Sequence, residues 1–382
     1  MEWSNMLPEV VDIIAHKHIN FYEDYHPFAG VCKSWHSAAL HNASKHHYVN
    51  GPPSRLPSLM LAEKSEDDND KEFRELFLLA NKSIRKIRLP EAYGKVCRSS
   101  SGWLVTVGED HAAQLVNPLS HETINLPKVD TFPQFVDNSQ WHQGITKLLL
   151  LTNGTPSSSA LPLVVVLWGC SSKLGVCRPG DNKWIHVRKG WGSSIYDVTY
   201  YNKRVYTFDG TCNIKACDVY GGEPMVLVNV TRLPVRLYDR KQEDLAGAYI
   251  IGLDDGERKT LLVVIRHGLY DEIEDEFWEE TYKTKRFLVF GYDLGNGKWS
   301  AVEDLGKKTL FVGHNSSFWI EDMTGVIKSN SIYYTDDVDF LYRASKDGGG
   351  RDIGIYSLSE KTIEPHFTGE SRSCLTPPIW IQ

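Results

Sequence analysis

Clustered bases, long apolar runs and paired cysteines are all scarce in this chain of 382 residues. Its 42 lysines and arginines are outnumbered by 49 aspartates and glutamates, giving a formal net charge of -7, and no basic cluster stands out. That balance argues against nucleic acid or an anionic membrane as the main partner. The longest apolar stretch, Ala160 to Trp168, is far too short to cross a bilayer and reads as a buried strand. The N-terminus has no basic region followed by an apolar core, so a secretory leader is not expected. The expectation is a soluble protein of the cytoplasm, the nucleus or both. Seven cysteines, Cys32, Cys97, Cys170, Cys177, Cys212, Cys217 and Cys374, are an odd number at irregular spacing in a chain far larger than a disulfide scaffold. Reduced thiols in a reducing compartment fit that usage.

Catalytic and metal-binding signatures are missing as well. There is no Gly-x-Ser-x-Gly elbow and no phosphate loop. The neighbouring histidines His46 and His47, and His16 and His18, diverge on a helix and make no chelate by themselves. The spacings from Cys170 to Cys177 and from Cys212 to Cys217 are not those of zinc knuckles, so buried thiols are the reading. No cofactor and no metal site are expected.

What is present begins with the first fifty residues. Leu7-Pro8-Glu9-Val10-Val11-Asp12-Ile13-Ile14 has a capping residue before it in Ser4 or Asn5 and a proline suited to the first helical turn. Leu7, Val10, Val11, Ile14 and His18 then share one helical face. Val31, Trp35, Ala38 and Ala39 repeat the spacing, and Pro27 and Gly30 break the chain between the two, which predicts a helical hairpin or a three-helix knot. A unit so small needs a partner for its apolar faces. The leading Leu7-Pro8, the aliphatic Val10, Val11 and Ile14, the acidic Asp24 and the closing Val31-Cys32-Lys33-Ser34-Trp35 together resemble an F-box. The resemblance implies docking on a Skp-type adaptor, and through it on the cullin and RING subunits of a ubiquitin ligase. The contact set it implies is Leu7, Pro8, Val10, Val11, Ile14, Val31, Cys32 and Trp35. The alternative is a helical hairpin packed on its own downstream domain.

Gly51 to Glu72 holds several prolines and a charged run without apolar periodicity, and reads as a linker. From Phe73 onward the period becomes strand-like, with short β-rich runs broken by Gly, Asn and Asp. Phrases recur: Asn202–Gly210 resembles Asn330–Asp337, and Asp181-Asn182-Lys183-Trp184 resembles Gly295-Asn296-Gly297-Lys298-Trp299. Weak repetition of strand, turn, aromatic strand and Lys-Trp suits kelch-like blades, and about 300 residues at a period of roughly 45 gives six or seven of them. The terminal Pro377-Pro378-Ile379-Trp380-Ile381 is expected to complete a blade begun near Leu76. The predicted architecture is thus α+β multidomain: a small all-α helical head over residues 1–50, a linker over 51–72, and an all-β, kelch-like β-propeller over 73–382. A pair of two-sheet sandwiches is the competing fold. Phe287–Phe290, Asp304-Leu305-Gly306, Leu310–Gly313, Ile332-Tyr333-Tyr334 and Pro377–Trp380, in that order, look like the C-terminal domain of a large plant family of F-box proteins.

Trp103, Trp184, Trp299, Trp319 and Trp380 lie in strand patterns and read as blade core. Trp141 and Trp191 fall in irregular stretches beside Gly144 and Gly190, while Phe277 and Trp278 sit inside the acidic run Asp271 to Glu280. These four are the candidate substrate-binding residues, the acidic run being suited to a basic segment. Gly348-Gly349-Gly350 reads as a flexible loop. The function expected is the substrate-recognition subunit of an SCF-type ubiquitin ligase, itself non-catalytic, with an unidentified target protein on the β domain. A non-ligase protein-binding scaffold is the rival, followed by a propeller enzyme, which would need His, Tyr, Cys or carboxylate side chains converging on the axis.

Overall fold

The computed structural model describes residues 6–18, 28–46, 56–63, 71–118, 120–133, 144–151, 162–169, 172–188, 194–221, 225–235, 244–254, 256, 258–271, 281–321, 325–343 and 348–382. The head contributes two helices, α1 (Pro8–His18) and α2 (Lys33–His46). Pro8 opens α1 where a missing N–H costs nothing, and the Leu7 carbonyl accepts from the N–H groups of Val10 and Val11. Glu9 in the first turn complements the positive end of the helix dipole. The helices meet through Val11 and Ala15 on one side and Trp35 and Ala38 on the other, with Phe28 against Trp35 at 4.5 Å between ring centroids. Alanines at the contact let the two backbones approach, and the indole fills the remaining space. Asp24 and the rest of the connector lie outside the described residues.

The remainder is β structure in six separate sheets, which excludes the sandwich alternative. Blade 1 joins β1 (Ser58–Met60), β2 (Phe73–Leu78) and β3 (Ser83–Arg88) to the last strand of the chain, β25 (Ile379–Ile381). Blade 2 is β4 (Val96–Ser100), β5 (Trp103–Val107), β6 (Ala113–Val116) and β7 (Thr123–Leu126). Blade 3 is β8 (Ile145–Leu151), β9 (Leu163–Trp168), β10 (Lys173–Cys177) and β11 (Ile185–His186). Blade 4 is β12 (Ile195–Tyr201), β13 (Arg204–Asp209), β14 (Asn213–Cys217) and β15 (Val228–Arg232). Blade 5 is β16 (Asp244–Asp254), β17 (Lys259–Asp271), β18 (Thr281–Asp293) and β19 (Trp299–Ala301). Blade 6 is β20 (Lys308–Val312), β21 (Phe318–Glu321), β22 (Ser331–Tyr334), β23 (Gly354–Ser357) and β24 (Ile363–Glu364), followed in the ring by blade 1.

Six apolar clusters fill the six blade junctions. Leu104 and Val116 of blade 2 pack with Met60 and Ile379 of blade 1, and each later pair of neighbours repeats the arrangement. Leu59, Phe77 and Trp380 of blade 1 close the circle against Phe311, Ile320 and Tyr333 of blade 6. The count is therefore six blades, the lower of the two expected numbers. Blade 6 explains why counting repeats was ambiguous: β20 and β22 pair in parallel, and β21 returns antiparallel on the other side of β20, so the blade holds five strands instead of four.

The terminal strand does close the ring. Leu59 of β1 stands between Trp380 of β25 and Phe77 of β2 in an antiparallel register. Ser58–Met60, placed by sequence in the linker, is thus a strand of the first blade. Three residues carry too little pattern to announce a strand, and it is the pairing on both sides that makes one. The same tertiary effect corrects the reading of Gly348-Gly349-Gly350. These glycines are buried, and Gly349 pairs with Ser373. A Cβ at Gly350, whose φ is +117°, would come within 2.1 Å of the Ser371 carbonyl oxygen, so the run is a site of close backbone approach.

Tryptophans stitch the blades as expected. The Trp184 indole donates to the Pro127 carbonyl at 2.9 Å, Trp299 to the Thr231 hydroxyl at 3.1 Å and Trp319 to the Gly252 carbonyl at 3.0 Å, each reaching the preceding blade. Cys32, Cys97, Cys177, Cys212, Cys217 and Cys374 are free thiols, and burial pushes the pKa of Cys97, Cys177 and Cys217 up.

Candidate functional site: the helical face and the propeller axis

Two places gather chemistry, the outer face of the head and the centre of the propeller. On the head, the eight residues grouped by sequence divide. Leu7 is 67% exposed, Val31 48% and Val10 39%, and Pro8 is exposed beside them. Ile14 and Cys32 are half-buried. Val11 and Trp35, expected to face a partner, are instead buried in the head's own core, because α2 packs against the Val11–Ala15 side of α1. That rotation also turns out Ile13, which is 53% exposed and was not among the expected contacts. Leu7, Val10 and Ile13 follow one another every third residue along one side of α1, the signal that a wider reading of the apolar stripe would have caught.

Trp141, Trp191, Phe277 and Trp278 all lie outside the described residues.

The axis is occupied by the chain itself. Between β20 and β21, Gly313–Ser317 forms a buried loop that bonds to three blades. The Ser316 N–H donates to the Ser99 carbonyl of β4 at 2.8 Å. The Lys147 ammonium of β8 donates to the carbonyls of Gly313 and Asn315. The Ser317 hydroxyl donates to Asp197 of β12 at 2.7 Å. Gly313 has φ +146°, and a Cβ there would sit 1.9 Å from the Thr335 hydroxyl, so only glycine admits the loop. Asp197 has no exposed surface; burial pushes its pKa up, while Lys147 at 3.4 Å, Ser317 and the Ile250 N–H pull it back.

Beside the loop stands a second cluster. His314 Nε2 lies 3.1 Å from Asp339 and 2.9 Å from the Tyr342 hydroxyl, which also donates to Asp339; Asp339 and Tyr342 bound the short helix α3 (Asp339–Tyr342). Arg98 of β4 approaches Asp339 at 3.5 Å. Burial would raise the Asp339 carboxyl, but His314, Arg98 and Arg343 hold it well below the usual carboxylate range. Burial and the Arg98 charge push His314 below its ordinary value.

The third cluster centres on Arg266, which is wholly buried. Its guanidinium donates to Asp352 at 2.7 Å, to Asp337 at 2.9 Å, to the Thr335 carbonyl at 2.9 Å and to Thr284 at 2.6 Å, and it lies over the Tyr334 ring. Next to it Asp336 accepts from the Tyr282 hydroxyl and from the N–H groups of Gly350 and Arg351; burial pushes its pKa up to about 6. These charges are satisfied by one another and by backbone, which is the condition for keeping them inside a protein. Sequence reasoning missed them. The available signal was a single charge inside an apolar strand: Lys147 in Ile145–Leu151, or Arg266 after Leu261–Ile265. Among the described residues no group of three or more His, Cys, Asp or Glu side chains is arranged to hold a metal ion.

Comparison with known proteins agrees with a β-propeller. Residues 76–357 match the family model described as the KIB1-4 β-propeller. F-box protein SKIP23 of Arabidopsis thaliana is 24% identical over 422 aligned positions, covering 100% of this chain and 96% of its own length. An A. thaliana chain provisionally named F-box protein At5g55150 is 23% identical, over 97% of this chain and 95% of its own. F-box protein At2g17036 of the same plant is 24% identical over 83% of this chain and 79% of its own. Among solved structures, the computationally designed Ika8 protein aligns over 83% of this chain and 91% of its own at 10% identity with a TM-score of 0.35, too loose to bear on the fold.

Proposed function

The chain belongs to the KIB1-4 β-propeller family, and on that premise we propose that it is the substrate-recognition subunit of an SCF-type ubiquitin ligase. The observation that carries this reading is the exposed apolar side chains of the head, Val10 and Ile13 on α1, Leu7 just before it and Val31 just before α2, beside a core already filled by Val11, Ala15, Trp35 and Ala38. Full-length relatives named F-box proteins supply the kind of partner that such a face fits. A Skp-type adaptor docks there, with Pro8, Ile14 and Cys32 at the edge of the contact, and brings the cullin and RING subunits with it. The propeller, whose blades we take as kelch-like on the Lys183-Trp184 and Lys298-Trp299 turns, holds a target protein in the cytoplasm or nucleus.

The chain makes and breaks no bond in this reading. Its contribution is proximity, since a target lysine held near the charged ubiquitin reacts at a high effective concentration. The loop through the axis supports this, because Gly313–Ser317 occupies the place where a propeller enzyme would seat its substrate. The test is co-purification of the intact chain with a Skp-type adaptor, beside the Leu7→Ala/Pro8→Ala variant. Binding by the intact chain and at least tenfold weaker binding by the variant is expected; equal binding by both would overturn the proposal.

A further inference from the structure

Each blade ends in an outermost strand whose far side pairs with no strand of its own sheet, and the blades differ in how much of that edge they show. Blade 1 ends in β3, six residues long, against four in β7, two in β11, five in β15, three in β19 and two in β24. A register shift interrupts β15, whereas β2 and β3 pair residue for residue from Phe73 opposite Arg88 to Leu78 opposite Ser83. Among the described residues β3 is therefore the longest regular edge.

The ladder fixes which of its residues face outward. The Leu89 N–H donates to the Glu72 carbonyl at 2.7 Å, so these two form a hydrogen-bonded pair, and along an antiparallel ladder such pairs alternate with pairs that exchange no bond. Ile87, Arg85 and Ser83 share the phase of Leu89; Ile84, Lys86 and Arg88 fall in the other, and their N–H and C=O groups point away from β2. Glu75 confirms the phase, because opposite Lys86 it directs its carbonyl the other way, to the Leu61 N–H at 2.8 Å. Side chains two apart share a face, so Ile84, Lys86 and Arg88 also stand in one row, about 13 Å long. All three are exposed, Ile84 at 52%.

This row is apolar at one end and basic at the other. From Lys82 to Arg88 the chain carries Lys82, Arg85, Lys86 and Arg88 and no acid. The nearby acids lie one strand inward: Glu75 opposite Lys86, and Glu72, which accepts from the Arg88 Nε at 3.0 Å. Lys86 also lies over the Phe73 ring at 4.9 Å. A second copy of β3 laid along this edge would set cation against cation, which disfavours pairing between copies. The same row favours a strand with an apolar residue opposite Ile84 and carboxylates opposite Lys86 and Arg88.

We propose that the outer edge of β3 receives an extended acidic segment of a protein partner, which adds to blade 1 as a further strand through the main chain of Ile84, Lys86 and Arg88. The inference rests on the receptor reading, in which the segment belongs to the ubiquitination target. It assigns target recognition to the rim of blade 1, away from the filled axis.

The full chain, without adaptor, is titrated by fluorescence anisotropy with two labelled eight-residue peptides that share one valine and differ in carrying glutamates or lysines at the next two alternate positions. The glutamate peptide is expected to bind and to weaken as salt is raised, and the lysine peptide to bind at least about tenfold less. Hydrogen exchange of the complex should show new protection at the amides of Ile84, Lys86 and Arg88, with Arg85 and Ile87, already bonded to β2, unchanged. The charge-reversed Lys86→Glu/Arg88→Glu variant, altered only at exposed side chains, should exchange the two preferences. No binding of the glutamate peptide at millimolar concentration, equal binding of both peptides, indifference to the charge reversal, or binding that leaves the three amides unprotected overturns the proposal. So does concentration-dependent dimerisation that protects those amides, which would make the edge a contact between two copies. Because no adaptor is present, failure here leaves the receptor reading to its own co-purification test.

Discussion

The head and the propeller treat the same kind of residue in opposite ways. Leu59, Met60 and Trp380 in blade 1 have no exposed surface, and each blade junction is a sealed cluster. In the head, Leu7 and Ile13 lie more than half open to water beside a core of four buried residues. A side chain of this size gains about 1.5–3 kcal/mol when it is fully buried. The propeller gains that stabilisation internally, while in the head part of the apolar surface stays open to water. The difference separates a body whose apolar faces are closed on one another from a small unit that leaves some of its own uncovered.

The comparison breaks hardest at the propeller's closed ring. Trp380→Ala empties a site between blades 1 and 6 and is expected to cost about 3–5 kcal/mol, read as a lower urea midpoint with the unfolding slope unchanged. Arg266→Met leaves Asp352 and Asp337 charged and uncompensated in the interior, a cost of about 3–5 kcal/mol. Adding Asp352→Asn to it should restore part of the loss. An Arg266→Met protein within about 1 kcal/mol of the parent would show that the network is open to solvent.

Titration sharpens the contrast at smaller scale. Burial pushes His366 down to about 4, with Nε2 donating to the Tyr334 carbonyl. The unfolded chain binds that proton near pH 6.5, so the stability present above pH 6.5 is lost as pH falls toward 4, by about 2 kcal/mol between pH 6.5 and 5. Asp336 works in the reverse direction. Its carboxyl, raised to about 6, holds a proton that the unfolded chain has already released, so its contribution declines as pH rises from about 4 to 6, by about 1 kcal/mol between pH 5 and 7. His366→Gln should therefore flatten the acid-side loss of stability, and Asp336→Asn should steepen it. Urea midpoints at pH 5 and 7 separate the two; identical pH dependence in all three proteins would refute the assignment.

The smallest effect on stability is expected where the effect on binding is largest. Leu7→Ala/Ile13→Ala alters exposed side chains and should leave the unfolding of the propeller within about 0.5 kcal/mol of the parent. The same protein should lose adaptor affinity at least tenfold, measured by titration calorimetry. A destabilised propeller would mean that the face is covered by the chain's own body.

Several of these features were legible before the structure. The strand that opens at Phe73, the Lys-Trp turns that open β11 and β19, and the terminal Ile379–Ile381 strand each rest on local pattern and each is present, although β structure begins earlier, at Ser58–Met60. Val11 and Ile13 show where local pattern runs short. Both are β-branched residues on the same helix, and a periodicity broad enough to hold either leaves the choice to whatever packs alongside; α2 lies on the Val11 side. Lys147 carried a different ambiguity. A lysine within an apolar strand ordinarily turns to water, yet the partners that keep this one inside are carbonyls 166 and 168 residues further along the chain.

By itself, then, the sequence determined what depends on neighbours in the chain: two short amphipathic helices, the β-rich body, its turns, its indoles and the strand that closes it. The tertiary structure alone decided what depends on residues brought together from afar. It set the number of blades, the pairing that makes Ser58–Met60 a strand, the loop that fills the axis, the buried charges around Arg266, and which side of α1 stays open. Propensity and period act over a few residues, whereas a buried charge or a three-residue strand is stable only when distant partners arrive to satisfy it.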